Sequence, residues 1–484
     1  MQFNHSNSAR IAGIATVLCL GLALTGCQRE KSGGATPGKT DEKRELSLWI
    51  MPNSTKPQQD MEAVVEKFEA LNPGVDVRVS VVDWAGAWTK LTTAAIGGDG
   101  PDVVQLGTTW CASMTDMGTL LPLDSLVAAT DAKNAFLSST WDAMKPRASE
   151  HPTSLPWFID VRPVFYRTDV FAKAKVDAKS ILTWDDYAKA LGKIHAADIK
   201  NNGETVSAVG FTGKNDWNVV HNFAPWIWGT GGDFLTPAGD KCALNSPESM
   251  QGILFFLGLV RKGYSPKENM EKNTAQVAAD FQTGRLATFA GPTNQDVYFN
   301  LTPEQGGIAN SPVAKNYSVF EPPAGPKRRL HFMGGSHLAV FKTSRQPALA
   351  QSLVRFLTTD KAAQLAYAEV SGFLPAYKQA LDDPYFTQDE RRKVFREIAQ
   401  HGYVYPSVPY WAEIETAILM KRLGNLLDIA AEVSGPYSEA AVRAEVAATV
   451  KDIDGVIAEH FKNHPGQREM MAQAVSTQQA TASP

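Results

Sequence analysis

The chain has 484 residues, of which 44% are hydrophobic and 20% charged, with a formal net charge of -4. That length exceeds one ordinary core and predicts two large lobes, while the composition excludes a disordered chain. Both charge signs are interspersed, which excludes the basic field that nucleic acid requires and leaves small molecules or proteins as partners.

The N-terminus carries one Arg and then the apolar run IAGIATVLCLGLAL, residues 11–24. The run suits a signal peptide and is short for a membrane span. It ends in LTGC, residues 24–27, which resembles the bacterial lipobox; residues 1–26 then form the leader and Cys27 becomes the diacylated first residue. Residues 27–45 are polar, Gly-containing and charged, and read as a flexible tether. Within them GGATPGKT, residues 33–40, fits a phosphate-binding loop, but neither a strand before it nor a helix after it is expected, so no nucleotide site is assigned.

Past the tether, ELSLWIM reads as a buried strand, with Trp49 in the core. PQQDMEAVVEKFEAL places Met61, Val64, Val65, Phe68 and Leu71 at helical spacing, and NPG stops that helix. VDVRVSVV alternates as a strand, AWTKLTTAAI reads as a short helix, and PDVVQLG as another strand. Strands alternating with helices predict an α/β fold with a largely parallel sheet. Further on, Thr183 with Asp186 forms a near capping box, and Ser246 with Pro247 opens a helix that Gly263 stops. RLATFAGP and HLAVFK read as buried strands, residues from about 387 onward as mostly helical, and residues 464–484 as a disordered tail.

Several phrases then coincide in order: LSLWI with FEALNPGVDV, GDGPDVVQLGTTW with GTLLPLD, LPWFIDVRPVFYRTDVF, TWDDY, WIWGTGGDFL with ALNSPES, GRLATFAGP, FMGGSHLAVFK, GFLPAYKQAL and PSVPYWAEIE. Together they resemble the family 1 extracellular solute-binding proteins of ABC importers, a group that includes maltose- and trehalose/maltose-binding proteins. The resemblance covers nearly all of residues 46–425. It implies a two-lobed periplasmic-binding-protein-like α/β fold of type II, each lobe a largely parallel sheet flanked by helices. Residues 46–161 and 334–385 would form lobe 1, and residues 162–333 and 386–463 lobe 2. A saccharide would lie in the cleft between them. The implied partners are ABC permease subunits with a separate ATPase and a bacterial membrane reached through the lipid on Cys27. A monomer without cofactor or enzymatic activity is expected.

In open α/β sheets ligands bind beyond the carboxyl ends of strands. That selects Asn53 and Ser54, Asp83 and Trp84, Thr108, Thr109 and Trp110, Thr293 and Asn294, and Gly335 and Ser336. Sugars stack their C–H faces on aromatic rings and hydrogen-bond planar or charged groups. Asp160 is the expected polar anchor at the chain crossing, and Arg162 either binds ligand or pairs with Asp160. His221 and Asn222 occupy the place where maltose-binding relatives carry stacking residues, and Tyr410 and Trp411 follow a loop that reaches the cleft in the family. Trp226 and Trp228 are two apart, so at most one touches ligand while the other packs behind, and the following Gly-Gly-Asp makes a turn. Trp157 is expected in the core.

Many relatives have Trp where this chain has Thr293 and Ser336, which argues against maltose specificity while the sugar class stands; Trp84, Trp110, Trp226 or Trp228 would replace those platforms. The alternatives are a secreted glycan hydrolase, which needs two carboxylates flanking one bond, or the same fold binding a polyol, glycerol phosphate or peptide-like solute. Cys111 and Cys242 fall in different lobes, where a bridge would oppose hinge closure, so no disulfide joins them. His331 with His337 and His460 with His464 lack a third ligand nearby in sequence and read as surface residues, so no metal is assigned.

Overall fold

The computed structural model describes residues 44–481 except 215, 217 and 434. The leader, Cys27 and the GGATPGKT stretch lie outside the described residues. Arg44 and Glu45, expected in the tether, already belong to the first strand.

The strands, numbered in chain order, are β1 Arg44–Ile50, β2 Val75–Val81, β3 Val103–Gly107, β4 Ser154–Val161, β5 Val164–Arg167, β6 Lys200–Asn201, β7 Glu204–Thr205, β8 Thr288–Ala290, β9 Tyr317–Phe320, β10 His331–Val340, β11 Leu374–Pro375 and β12 Gly402–Tyr403. One sheet runs β11-β4-β10-β3-β1-β2, with β12 attached to β10; a second runs β8-β5-β9. The α/β class stands, but the pairing is mixed where a largely parallel sheet was expected. β1 is parallel to β2 and β3, whereas β10 is antiparallel to β3 and β4, and the second sheet is antiparallel throughout. The cause is connectivity. β10 arrives from the second sheet instead of through a helical crossover within its own, so it inserts against the direction of β3.

Local sequence explains most elements. In β2, Val75, Val77 and Val79 face inward while Arg78 and Ser80 face solvent, as period-two alternation demands. β3 is buried at every position because it has neighbours on both edges and packing on both faces. Helix Pro57–Leu71 buries Met61, Val64, Val65 and Phe68, each contributing roughly 1.5–3 kcal/mol. Leu71, expected on that face, is 71% exposed because the helix ends there. Trp49 is only partly buried, with the Lys90 ammonium 4.2 Å above its ring, whereas Trp157 is in the core. The Thr183–Asp186 capping box forms in both directions, and Ser246 caps helix Pro247–Arg261.

β5 joins two cores. Phe165 points into a buried cluster that also holds Leu46, Trp157, Leu338, Phe281 and Phe289, so this core passes from the first sheet to one face of the second. Val164, its neighbour, points the opposite way into a cluster around Phe223, Trp228, Ile253 and Ile453. Phe395 and Ile398, assigned by sequence to lobe 2, join the first cluster because helix Glu390–Gln400 lies against β4, β9 and β10. Cys111 and Cys242 are buried free thiols in separate clusters.

The expected disordered tail is instead helical over Gln467–Thr481. Its anchor is Met471, 1% exposed, whose methyl group packs against Gly239. One buried side chain in a polar stretch leaves no periodic signal to read. Among the described residues, no helix is long and apolar enough to cross a membrane.

Candidate functional site

The chain crosses from the first sheet to the second between β4 and β5, and the candidate site is built around that crossing. Asp160 is the penultimate residue of β4 and Arg162 follows the strand; the guanidinium donates to Asp160 Oδ2 at 2.7 Å and to Asn218 Oδ1 at 3.1 Å. Burial pushes the Asp160 carboxyl up, and Arg162 pulls against it. Asp160 Oδ1 and Arg162 Nε are buried without hydrogen-bond partners. Both residues therefore pair with each other and keep an unused polar atom.

An aromatic belt continues from this pair. The Arg162 guanidinium lies 5.6 Å from the centroid of Phe332, His221 stacks on Phe332 at 3.8 Å, and Tyr405 stacks on Trp411 at 4.7 Å. The Tyr405 hydroxyl meets His221 Nδ1 at 2.8 Å. Burial and the charge of Arg162 hold His221 well below the ordinary imidazole range, so it is neutral at pH 7. Trp411 Nε1 and both carboxylate oxygens of Glu415 are buried without partners that meet hydrogen-bond geometry. Burial pushes the Glu415 carboxyl up to about 8, with Thr109 and Trp411 pulling it down. Glu415 sits in a π-helical turn, Ile414–Leu419, an irregularity frequent at functional sites.

Thr108 and Thr109 open the short helix after β3 and face Val404 to Ser407 across a narrow pocket. Thr293 is fully buried just past the β5–β8 pairing, where Gly291 N–H donates to Pro163 O at 3.2 Å, and its hydroxyl has no partner. An apolar pocket opens beside Arg162, His221 and Asn222, walled by Trp184, Tyr187 and Trp226. Asn222 spends its amide on Thr212 O at 2.9 Å. Trp226 is half-buried among Trp184, Phe255 and Phe256.

Other expected positions are occupied by architecture. Trp228 is 0% exposed, donates to Asp233 Oδ1 at 3.1 Å and packs on Tyr403 and Phe234, so it is core and no cleft wall. Its ring lies on the opposite side of helix Asn218–Gly229 from Trp226, as a two-residue separation requires. Asn53 is buried against Gln105 Oε1 and the Tyr367 hydroxyl, while Gln105 donates to Ser336, so Asn53 and Ser336 lock strand ends together. Ser54 donates to Asp60 at 2.5 Å. Asp83 caps helix Trp84–Gly97 through Ala85 N–H at 2.9 Å, and Trp84 and Trp88 pack on Trp110. Gly335 and Ser336 were expected to open a strand but lie within β10. Gly335 has φ +133, and a Cβ there would stand 2.1 Å from Phe158 O, so the close approach to β4 excludes any side chain. Tyr410 donates to Gly239 O at 2.6 Å and packs on His460, away from the belt. Asn294 precedes helix Gln295–Asn300 and touches the Gly372 turn.

Sequence reasoning missed Tyr405, Phe332 and Glu415. Glu415 had a usable signal, an acidic residue four positions after Trp411 and thus on the same helical face. The histidines expected at the surface are not all there: His331 and His337 are buried, His331 against Glu321 Oε1 at 2.9 Å and His337 against Ser154 Oγ at 2.9 Å. Carboxylates gather beside three of these four histidines: Glu321 lies with His331 and His401, and Asp116 with His460 and His464.

Comparison with known proteins places this geometry. The sequence profile of the bacterial extracellular solute-binding proteins matches residues 52–364. The diacetylchitobiose binding protein DasA of Streptomyces coelicolor is 25% identical over 81% of this chain and 89% of its own length. A galactooligosaccharide-binding protein of Bacillus subtilis is 23% identical over 83% of this chain and 89% of its own length. In three dimensions the sugar-binding protein MalE of Xanthomonas citri superposes with a TM-score of 0.71 at 20% identity, covering 87% of this chain and 99% of that one. Maltose-bound MalE3 of T. maritima gives 0.70 at 22% identity, covering 84% and 99%. With the profile spanning more than half of its residues, this chain belongs to the bacterial extracellular solute-binding protein family.

Proposed function

We propose that the protein is the extracytoplasmic receptor of an ABC importer, that it binds a mono- or oligosaccharide at the Asp160–Arg162 crossing, and that it delivers the sugar to a membrane permease driven by a separate ATPase. The carrying observation is the set of buried polar atoms left short of partners at the crossing, at the β5–β8 edge and along the aromatic belt. Asp160 Oδ1 accepts, Arg162 Nε donates and Thr293 Oγ1 does either, while Trp411 Nε1 and Thr109 face the protonated Glu415. A ligand that satisfies acceptors and donors together carries hydroxyls. Its C–H faces suit the rings of Trp226, Tyr405 and Trp411. The diacetylchitobiose- and galactooligosaccharide-binding relatives support the same class of ligand.

In this reading residues 46–161 with 334–385 and residues 162–333 with 386–463 act as lobes that close on the sugar, with ligand binding shifting the population toward the closed state. Cys27 carries the lipid, residues 28–43 are the tether, and the receptor works as a monomer without a cofactor. A hydrolase would need a second free carboxylate across a scissile bond, and Asp160 is engaged by Arg162.

A thermal-shift screen against mono- and disaccharides tests the proposal. Ligand at 100 times its Kd adds about 2.7 kcal/mol and raises the midpoint visibly. A shift with a polyol, phosphate ester or peptide and with no sugar retires the saccharide assignment, and turnover of an oligosaccharide retires the receptor.

A further inference from the structure

Away from the belt, helix Glu439–Asn463 ends at His460 and His464, four residues apart on one face. The fold brings Asp116, the last residue of helix Cys111–Asp116, to the same place. One ligand atom from each of the three residues lies within 4.8 Å of the others. Tetrahedral Zn²⁺ with bonds of about 2.0–2.2 Å holds its donors roughly 3.4 Å apart, so small side-chain adjustments close the set.

Two features organise these groups. The His464 Nδ1–H is positioned on the carbonyl of His460 at 3.2 Å, which leaves the Nε2 lone pair available. Gln467 bridges the other two ligands: its carbonyl meets His460 Nε2 at 2.7 Å and its amide donates to Asp116 Oδ1 at 2.7 Å. A carbonyl on the far nitrogen of a ligand histidine and a hydrogen-bonded ligand carboxylate are the arrangement metal sites use. The cluster borders a hollow of about 720 Å³ lined by Trp88, Tyr410, Glu413 and Glu459, which gives an ion access and leaves space for water.

The second cluster lacks these features. Glu321 Oε1 already accepts from His331 and His401 at 2.9 and 2.8 Å, and Arg329 places a guanidinium on Oε2 at 2.5 Å. A cation there would face Arg329 and displace satisfied bonds.

We propose that Asp116, His460 and His464 bind one divalent transition-metal ion of the Zn²⁺ class, with water in the fourth position. The ion ties helix Cys111–Asp116 to the end of helix Glu439–Asn463. The test uses the full chain without a polyhistidine tag, titrated with Zn²⁺ by calorimetry and with Co²⁺ by visible absorption. One Zn²⁺ per chain and a tetrahedral Co²⁺ spectrum are expected. His464→Ala, at an exposed position that leaves the fold intact in EDTA melts, abolishes both signals. Gln467→Ala weakens Zn²⁺ about 10–100-fold, and His401→Ala leaves binding unchanged. Failure of the wild type to bind, unchanged affinity in both His464→Ala and Asp116→Asn, or loss in His401→Ala overturns the assignment.

Discussion

Asp160 and Arg162, two residues apart at the only β4–β5 crossing among the described residues, form a 2.7 Å ion pair with side chains 13% and 15% exposed. The sequence left open whether Arg162 binds ligand or pairs with Asp160. The pair forms, and Oδ1 and Nε stay unused, so pairing does not exhaust either residue. Arg162→Met strands the carboxylate and is expected to destabilise the fold by about 2–3 kcal/mol, because a nearly buried charge loses its partner. Adding Asp160→Asn recovers part of that loss. Urea unfolding of the two singles and the double reads the coupling; additive losses would mean the pair contributes nothing.

The two indoles of HNFAPWIWGTGGDFL separate by role. Trp226→Ala removes a half-buried wall of the pocket and is expected to weaken sugar binding about tenfold, the loss of one stacking face. Trp228→Ala empties a fully buried site and strips Asp233 of a donor, which costs about 3–5 kcal/mol of stability. Binding calorimetry beside thermal melts distinguishes them. An affinity loss confined to Trp228→Ala, measured where that variant is folded, would exchange the assignments.

Gly335 makes a sharper structural prediction. Its φ of +133 and the 2.1 Å approach of Phe158 O leave no place for a methyl group. Gly335→Ala must separate β10 from β4, so a loss of at least about 2 kcal/mol is expected. Gly334→Ala meets the Phe332 ring at 2.7 Å instead, where a side chain rather than backbone has to yield. Equal melting temperatures for wild type and Gly335→Ala would contradict the backbone geometry.

How far the sequence was readable follows from the range of each interaction. The alternation of β2, the Thr183–Asp186 box and the Ser246 cap depend on neighbours within a few residues, so their signals were local and legible. Gly335 and Ser336 read as the opening of the HLAVFK strand, and only the partner strand reveals that close approach calls for glycine at 335. Asp83 and Asn53 followed strands as ligand residues do, yet a helix N-terminus and the distant Gln105 and Tyr367 claim their polar atoms. Asp116 reaches His460 across more than 300 residues of chain, a juxtaposition that no spacing rule encodes. The crossing at Asp160 and Arg162 was implied by the family resemblance, whereas the belt of Phe332, Tyr405 and Glu415 is assembled from separate strands and turns.

Glu415 supplies the last prediction. Its carboxyl is fully buried, and its folded value of about 8 stands above an ordinary 4.5. The folded state therefore holds a proton that the unfolded chain releases. The resulting stability is full below about pH 4.5 and is lost as pH rises toward 8, at about 1.4 kcal/mol per pH unit. Glu415→Gln keeps the shape and the neutral charge at every pH, so its stability should fall less steeply than wild type over that window. Comparing slopes cancels the other titrating groups, including His221, whose depressed value acts in the opposite sense by favouring the fold as pH rises. Urea midpoints at successive pH values between about 5 and 8 read the difference directly. Parallel curves would mean that Glu415 is ionised at neutral pH and carries a cationic or donor partner, and with it the neutral-acid role at the binding belt would fall.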